Sequence, residues 1–418
     1  MTRMVIADSV REAGTDPIFR IAGEAAKRTA ELGADAVINS TIGALMEDDG
    51  SLVCFESVFG TLKNLPDAEI SNYAGIAGIP EFLDKVVDAC FKSQRPEGHI
   101  RAVATPGGTG AVRNAVCNYT EFHDEILIPD WYWAPYSTIA DENRRSTVTF
   151  ELFDEEGHFN MASYQSKFLE LLKKQNRVLS ILNTPAHNPT GYSISLDEWK
   201  ELVAFYTETA LANPEARIII LCDIAYIDFA GQGDSAREFM PLLANMPENV
   251  LPLYAYSASK GYTMYGLRNG AILCVAPTEE IANEFFAACS YSNRGTWSNG
   301  TRGAMKTLAE IQTIPELREK FDAEQKSYRE ILQRRAAAFL EEAEKVGLEM
   351  CPYKDGFFIS IPCEDAKAVS DLLMEKNVFV VALAKGLRFA PCAVSEEKCR
   401  RSPALIAEAI ATWKAQNK

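Results

Sequence analysis

The feature that most constrains the fold is a regular alternation of short apolar runs with helical stretches in the middle of the chain. The apolar runs are EILIP at 125–129, TVTFELF at 147–153, VLSILN at 178–183, RIIILCD at 217–223, VLPLYAYS at 250–257 and GAILCVAP at 270–277. Runs of this length between helices are typical of a mostly parallel sheet with helices on both faces. We therefore predict an α/β protein, a three-layer sandwich with a mostly parallel sheet.

Polar residues follow three of these predicted strands. Asn188 lies shortly after the run that ends at 183, Asp223 ends the next run, and Lys260 follows the run that ends at 257. In open parallel sheets, ligands bind beyond the carboxyl ends of the strands. We therefore expect these three side chains to meet in one crevice.

The C-terminal quarter predicts a smaller α+β domain. The charged stretch 315–347 predicts a long helix leaving the large domain, because it is rich in strong helix formers and free of proline after Pro315. DGFFISIP at 355–362, a helix near 365–376, VFVVALA at 378–384 and a helix near 403–416 follow. The predicted division is an N-terminal arm with part of the small domain at 1–55, a large domain at 56–312, and the connecting helix with the small domain at 313–418.

Composition narrows the possible partners. With 418 residues, 47% of them hydrophobic, the chain is long enough to bury a large core. A formal net charge of −16 argues against nucleic acid and anionic membrane surfaces, because the overall field repels both. Any anion that the protein binds must therefore meet a local cationic pocket.

The ten cysteines are spread singly, without a CxxC pair or a Cys/His cluster at metal-ligand spacing. We therefore expect neither a disulfide framework nor a metal site, and a reducing, cytoplasmic setting. The first residues carry charges and a proline, and no apolar run reaches membrane-spanning length, so we expect neither a targeting segment nor a transmembrane helix.

The segment SASKGYTMYGLR at 257–268 places Lys260 and Arg268 eight residues apart, beside Ser257 and Ser259. A lysine amine forms Schiff bases with aldehydes, and an arginine with two hydroxyls can hold a phosphate. Together they suit a phosphorylated aldehyde such as pyridoxal phosphate. Taken alone, Lys260 would be read as a solvated surface lysine.

A glycine-rich turn, TPGGTGAVR at 105–113, leads into a predicted helix. The helix start offers backbone N–H groups and a positive dipole end to a phosphate. The strand-GxGxxG arrangement and the ribose-binding acid of a dinucleotide fold are missing, which disfavours a nicotinamide enzyme. By itself the turn is equally consistent with a tight structural connection.

With NTPAHNPTG at 183–191, the order G-T-G, N-P-T-G, D-x-x-Y, S-x-S-K and R resembles the aspartate aminotransferase family, the fold type I pyridoxal phosphate enzymes. The resemblance covers nearly the whole chain, including NYAGIAGIPEF at 72–82. It implies that the large domain binds pyridoxal phosphate and that the protein transfers amino groups from an amino acid to a 2-oxo acid by a ping-pong mechanism.

The resemblance implies three catalytic residues. Lys260 would form a Schiff base with the cofactor and move the proton between the substrate Cα and the cofactor. Asp223 would pair with the pyridine nitrogen and keep it protonated, and Tyr226 would hydrogen-bond the phenolic oxygen together with Asn188.

The resemblance also implies the other cofactor contacts. The expected phosphate ligands are Gly108, Thr109, Ser257, Ser259 and Arg268. Trp133 would stack on the cofactor ring, with Trp131 one register away, and Tyr73 would reach the phosphate of the neighbouring subunit. The active unit would then be a homodimer with shared active sites.

On the substrate side, Arg388 matches the arginine that grips the α-carboxylate, and Asn188 and Gly43 are the other expected substrate contacts. Aspartate-specific members carry a second arginine upstream of a Tyr-Ser-Asn segment, and Ala288 stands at that position here. Arg294 and Arg302 are the candidates to replace it.

An apolar or aromatic donor is therefore favoured, with 2-oxoglutarate or another 2-oxo acid as acceptor. The aromatic residues expected near the pocket are Trp131, Tyr132, Tyr136, Tyr291 and Trp297. Aspartate as donor, a lyase or decarboxylase of the same fold, and a non-catalytic amino-acid sensor remain the alternatives.

Overall fold

A computed structural model describes residues 4–6, 9–10 and 17–417, so parts of the predicted N-terminal arm, and Lys418, lie outside the described residues. The α-helices of the described part are α1 (Pro17–Leu32), α2 (Glu56–Asn64), α3 (Asp67–Ser71), α4 (Pro80–Phe91), α5 (Gly107–Tyr119), α6 (Pro135–Glu142), α7 (Met161–Gln175), α8 (Leu196–Ala212), α9 (Ala258–Gly261), α10 (Glu279–Thr296), α11 (Arg302–Thr313), α12 (Pro315–Lys345), α13 (Ala366–Glu375) and α14 (Glu396–Gln416). The strands are β1 (Ile38–Asn39), β2 (His99–Pro106), β3 (Glu125–Pro129), β4 (Ser146–Phe150), β5 (Arg177–Asn183), β6 (Arg217–Asp223), β7 (Val250–Ser257), β8 (Asn269–Ala276), β9 (Ile359–Pro362), β10 (Val378–Phe379), β11 (Val381–Leu383) and β12 (Gly386–Phe389).

The large sheet of the described part has seven strands in the order β2-β8-β7-β6-β5-β3-β4. All pairs from β7 to β4 are parallel, and β8 runs antiparallel to both of its neighbours. The six predicted strands and the mostly parallel sheet are confirmed. The edge strand β2 was not predicted, because its first three residues are exposed or half-buried and interrupt the apolar pattern. The reversed direction of β8 was not predicted either.

Helices cover both faces of this sheet. Along β6, Ile219 and Leu221 point to a core shared with α5 and α10, while Ile218, Ile220 and Cys222 point to a core shared with α4, α7 and α8. Side chains alternate between the two faces of a strand, so a strand buried on both faces must be apolar at every position. The predicted three-layer sandwich is confirmed.

The topology brings several polar segments to one edge of the sheet. β2 runs directly into α5 at Gly107, and β5, β6 and β7 end at Asn183, Asp223 and Ser257. Because β8 is antiparallel, its first residues lie at the same edge, with Gly270 opposite Ser257. Arg268, immediately before β8, is therefore held between the ends of β2 and β7.

A second unit contains the antiparallel sheet β11-β12-β9 and α12, a helix of 31 residues. β1 pairs in parallel with β10, so the segment near residue 38 packs with the C-terminal unit. The long helix begins at Pro315, as expected for proline in a first helical turn. The domain boundaries at 55/56 and 312/313 stay predictions.

The start of the last helix was placed wrongly. α14 begins at Glu396, with the Ser395 side chain accepting a hydrogen bond from the Lys398 N–H, and Pro403 lies inside it. The predicted start was near 403, whereas the N-cap serine and the two glutamates that follow it begin the helix about two turns earlier.

Within the described residues, no helix is long and apolar enough to cross a membrane. The same residues contain no group of three or more His, Cys, Asp or Glu side chains placed to hold a metal ion. The ten cysteines, all of which lie in the described part, are free thiols.

Candidate active site

A pocket of about 410 Å³ opens at the carboxyl edge of the large sheet. It gathers ten of the eleven predicted cofactor-binding residues, which come from five separate segments of the chain. Its lining residues are Gly108, Thr109, Trp133, Asn183, Asn188, Asp223, Ala225, Tyr226, Ser257, Ser259, Lys260 and Arg268. The expected convergence of Asn188, Asp223 and Lys260 is confirmed.

Lys260 lies in the short helix α9, directly after β7. The Ser257 side chain caps this helix by accepting a hydrogen bond from the Ser259 N–H at 3.3 Å. The Lys260 ammonium nitrogen lies 5.2 Å from the centre of the Tyr226 ring. Burial lowers the pKa of Lys260 to about 8, and the charge of Asp223 opposes that shift. At pH 7 about a tenth of this amine is therefore neutral and nucleophilic, far more than for a lysine with an ordinary pKa of about 10.4.

Asp223 ends β6 and is 5% exposed. Its Oδ1 accepts a hydrogen bond from the Ala225 N–H at 3.2 Å, and its Oδ2 accepts one from the Tyr136 hydroxyl at 2.5 Å. Burial raises the pKa of Asp223, while the two hydrogen bonds and the charge of Lys260 act against the rise. The site thus contains a buried carboxylate that can pair with a cation.

One end of the pocket is built to hold an anion. No side chain of the described residues caps the N-terminus of α5, so its first N–H groups are left for another acceptor. A Cβ at Gly107 would lie 2.5 Å from Arg268 Nη2, and one at Gly108 would lie 3.3 Å from Ser257 Cβ. Arg268 Nη1 donates to Ser259 Oγ at 3.3 Å. The two glycines keep a gap open between the helix start, the serines and the guanidinium.

Asn188 links this pocket to the substrate side. Its side-chain amide nitrogen donates to the Tyr226 hydroxyl at 3.3 Å, and its Oδ1 accepts from Arg388 Nη1 at 3.3 Å. Its backbone N–H donates to Asn183 Oδ1 at 2.6 Å. The two side-chain hydrogen bonds fix the orientation of the amide, and the backbone hydrogen bond holds the loop that carries it.

Arg388 comes from β12 of the second unit and is 5% exposed. Its Nη2 donates to the Thr41 carbonyl at 3.0 Å, and its guanidinium carbon lies 4.2 Å above the centre of the Phe358 ring. A Cβ at Gly43 would lie 2.8 Å from the tip of that ring, so the absence of a side chain at position 43 leaves room for the ring. The structure therefore brings Arg388, Asn188 and Gly43 into one neighbourhood.

Other predicted residues lie apart from the pocket in this chain. Tyr73 is 83% exposed on the surface. Arg302 pairs with Glu69 at 2.7 Å, and Arg294 is an exposed residue that donates to Ser298 Oγ at 2.9 Å. Within the described part, none of the three lines the pocket.

The aromatic residues predicted at the site fall into two groups, those that line the pocket and those that do not. Trp133 lines the pocket, whereas Trp131 is 6% exposed and packs in the core. Of the five aromatic residues expected near the substrate, none belongs to the pocket lining in the described structure: Trp131, Tyr132, Tyr136, Tyr291 and Trp297. Tyr136 is buried behind Asp223, and Tyr291 is 84% exposed. They were expected near the pocket, and Tyr136 does contact a lining residue, Asp223. A place for the other four beside the substrate stays a prediction.

Sequence reasoning missed three residues of the site. The Asn183 side chain accepts a hydrogen bond from the Asn188 N–H through its Oδ1. Through its Nδ2 it donates one to the Asp223 carbonyl at 2.8 Å. Ala225 and Tyr136 supply the two hydrogen bonds to the Asp223 carboxylate. Asn183 is a polar residue at a strand end and carried a usable signal, whereas Tyr136 was assigned to the substrate instead.

These features fit pyridoxal phosphate. The gap at the start of α5 suits its phosphate, the buried carboxylate of Asp223 suits a protonated ring nitrogen, and Lys260 suits its aldehyde. The Tyr226 hydroxyl and the Asn188 amide are placed to hydrogen-bond a ring oxygen. Each of these groups lines the same pocket.

Comparisons with known proteins agree with this geometry. The family model described as aminotransferase class I and II matches residues 36–403. The chain is 27% identical over 299 residues to the aromatic-amino-acid aminotransferase of Paracoccus denitrificans, which covers 70% of this chain and 72% of that protein. It is 25% identical over 317 residues to the aspartate aminotransferase of Escherichia coli (strain K12), which covers 74% of this chain and 77% of that protein.

Solved structures are similar over nearly the whole chain. An aminotransferase from Anaerococcus prevotii DSM 20548 superposes with a TM-score of 0.96 at 37% identity, over 98% of this chain and 100% of the other. The aromatic-amino-acid aminotransferase of Burkholderia pseudomallei, solved with covalently bound pyridoxal phosphate, has a TM-score of 0.79 at 21% identity, over 97% of this chain and 100% of the other, and shares the fold. The chain therefore belongs to the class I and II aminotransferases, pyridoxal phosphate-dependent enzymes of fold type I that move amino groups between amino acids and 2-oxo acids.

Proposed function

We propose that Lys260 is both the covalent attachment point of pyridoxal phosphate and the group that carries the proton during amino transfer. The observation that carries this proposal is its position: a half-buried amine, with its pKa lowered to about 8, shares one pocket with the Asp223 carboxylate. A neutral amine can bond to an aldehyde and later accept and return a proton.

The remaining pocket residues would hold the cofactor. Bound there, pyridoxal phosphate supplies an aldehyde that bonds to amines and a ring that accepts an electron pair. Asp223 would hold a proton on the ring nitrogen, and Trp133 would cover a ring face. Asn188 and Tyr226 would donate hydrogen bonds to the ring oxygen. The phosphate ligands would be Gly108, Thr109, Ser257, Ser259 and Arg268.

Arg388 would bind the α-carboxylate of the amino acid. Its planar guanidinium can form two parallel hydrogen bonds to a carboxylate, and such a clamp fixes the direction of the Cα–H bond. The Thr41 carbonyl and the Asn188 side chain already hold two of its nitrogens. Gly43, which lets the Phe358 ring lie against this guanidinium, would be the other substrate contact beside Asn188.

We propose an apolar or aromatic amino acid as the preferred donor, with 2-oxoglutarate or another 2-oxo acid as acceptor. Ala288, on α10, offers no charge where a second carboxylate would need one. The Paracoccus denitrificans relative, named for aromatic amino acids, is in line with this choice. Aspartate is the second candidate, since Arg294 is exposed on the same helix and the Escherichia coli relative is an aspartate aminotransferase.

The active unit is proposed to be a homodimer with shared sites. Tyr73 and Tyr291 are 83% and 84% exposed, and Ile70 and Ile76 are exposed as well, which is typical of a surface that another chain covers. In such a dimer, Tyr73 would reach the phosphate in the partner's pocket. The ten free thiols fit a reducing, cytoplasmic location.

A donor panel tests the proposed reaction and its specificity. The purified holoenzyme is given phenylalanine, tyrosine, leucine, methionine or aspartate with 2-oxoglutarate, and the glutamate and the new 2-oxo acid are quantified. We expect one glutamate for each oxo acid formed and faster turnover of the apolar and aromatic donors. Release of ammonia or carbon dioxide in place of glutamate would indicate a lyase or decarboxylase.

The Ala288→Arg variant is the matched test of donor choice. A new arginine on α10 should raise kcat/KM for aspartate and lower it for phenylalanine, because it adds a cation for a side-chain carboxylate. Aspartate as the best wild-type donor would contradict the proposed specificity and leave the amino-transfer proposal intact.

A further inference from the structure

A buried ion cluster lies just outside the cofactor pocket. Asp228, 5% exposed, follows Tyr226 by two residues and accepts a hydrogen bond from Arg237 Nη2 at 2.6 Å. The Lys92 ammonium lies 3.9 Å from the same oxygen. Arg237 is 1% exposed. Buried charges are costly unless paired, so the cluster needs a reason to be there.

The carboxylate packs against the residue that follows the proposed catalytic lysine. A Cβ at Gly261 would lie 3.0 Å from the Asp228 carboxyl carbon and would overlap with Oδ2. The turn that carries Asp228 also packs on α9, the helix of Lys260. The Asp228 side chain therefore occupies the space that a side chain at position 261 would need.

Asp228 is not free to swing out of this position. Arg237, which holds it, also donates through Nε to the Cys90 carbonyl at 2.8 Å and through Nη2 to the Ala89 carbonyl at 3.4 Å. Both carbonyls belong to the last turn of α4. Asp228 Oδ1 is thus held by Arg237, which is itself anchored to α4. The other carboxylate oxygen, Oδ2, lies against Gly261.

We infer that Asp228 is a positioning residue for Lys260. Its carboxylate, held by Arg237 and Lys92, forms a rigid support under the main chain at Gly261 and so sets the direction of the lysine side chain. Glycine at 261 is required for this support, since any larger residue would push α9 toward the pocket. The inference rests on the role proposed for Lys260.

The first test compares alanine substitutions at two glycines of the stretch 257–268, Gly261 directly after Lys260 and Gly266 farther along the chain. Gly261→Ala introduces the overlap, whereas Gly266→Ala meets no atom within 4 Å and serves as the matched control. We expect Gly261→Ala to lower kcat by about tenfold to about a hundredfold with little change in KM, because a displacement of about 1 Å can have that effect. It should also shift the pH midpoint of the bound cofactor's absorbance, and Gly266→Ala should change neither value.

A double-mutant cycle then identifies Asp228 as the cause. Removing the carboxylate with Asp228→Ala opens the space beside Gly261, so adding Gly261→Ala in that background should change kcat and the absorbance midpoint by less than about twofold and about 0.2 pH unit. An equal effect of Gly261→Ala in both backgrounds would overturn the inference. If Asp228→Ala does not fold, the comparison of Gly261→Ala with Gly266→Ala decides alone, and equal behaviour of those two overturns it.

Reductive trapping separates this inference from the proposed function. Holoenzyme is treated with sodium borohydride, and the labelled peptide is identified by mass spectrometry. Absence of label at Lys260 in the wild type overturns the role proposed for Lys260. Label at Lys260 together with wild-type behaviour of Gly261→Ala overturns the positioning inference alone.

Discussion

Tyr136→Phe is the substitution that isolates one hydrogen bond of the site. The Tyr136 ring is 1% exposed, packs edge-on against Trp133 with 5.4 Å between ring centres, and donates its hydroxyl to Asp223 Oδ2 at 2.5 Å. Phenylalanine keeps the ring and its packing and removes only the hydroxyl. Asp223 then retains one hydrogen bond, from the Ala225 N–H.

The magnitude follows from the charge of the acceptor. A hydrogen bond to a charged group contributes about 1.5–3 kcal/mol. The hydroxyl stabilises the ionised carboxylate, so its loss raises the pKa of Asp223 further in the direction in which burial already moves it. Because about 1.4 kcal/mol corresponds to a tenfold change, the proton affinity of Asp223 should rise about tenfold or more. Activity that needs the ionised form should then be lost at a higher pH.

The assay is the pH dependence of kcat/KM, with Tyr164→Phe as the matched control. Tyr164 is 0% exposed and shares hydrogen bonds with Ser180 at 3.0 Å and Tyr206 at 2.7 Å, away from the pocket. Both variants should lose about 1 kcal/mol of stability or more. The acid limb should move upward by about one pH unit in Tyr136→Phe and stay in place in Tyr164→Phe. Equal acid limbs in the two variants would refute the reasoning.

Three further predictions concern the anchor, the lysine and the dimer. Arg388→Lys keeps the charge but loses the planar pair of donors, so KM for the donor should rise about tenfold or more while the absorbance of the bound cofactor is unchanged, as substrate titrations can check. Because burial lowers the pKa of Lys260 to about 8, the rate at which apoenzyme rebinds pyridoxal phosphate should rise with pH, reach half of its maximum near pH 8 and level off above that, whereas an exposed lysine would give a rise that continues beyond pH 10 in stopped-flow traces. Mixing inactive Lys260→Ala with Tyr73→Ala and allowing subunit exchange should yield activity above the mean of the two parents, since one site of each mixed dimer then has both residues; no gain would argue against shared sites.

The residues that the sequence predicted well are those with local signals. Lys260 and Arg268 stand beside two serines directly after an apolar run, and Asp223 ends another such run. Each of these residues alone has an ordinary structural explanation, but several polar residues at the carboxyl ends of neighbouring parallel strands indicate a ligand site together.

Tyr136 could not be assigned in this way. Its hydrogen bond joins residues 87 positions apart and depends on how the helix after β3 packs behind the end of β6. In sequence it is one of several aromatic residues in PDWYWAPY at 129–136, which all look equally suited to packing. The contact of Asp228 with Gly261 is hidden for the same reason, because only the folded chain places a turn after β6 beneath α9.

The charge distribution explains how a protein with a formal net charge of −16 can bind a phosphorylated cofactor and a carboxylate substrate. Two arginines belong to the proposed site, Arg268 close to the start of α5 and Arg388 beside Asn188, and the charge of Asp223 acts on Lys260. Interactions over a few ångströms are screened little by salt, whereas surface charges farther away than about 10 Å are largely screened at ordinary salt. Binding of the two anions should therefore depend on these local cations, and the acidic surface should affect mainly how fast anions arrive.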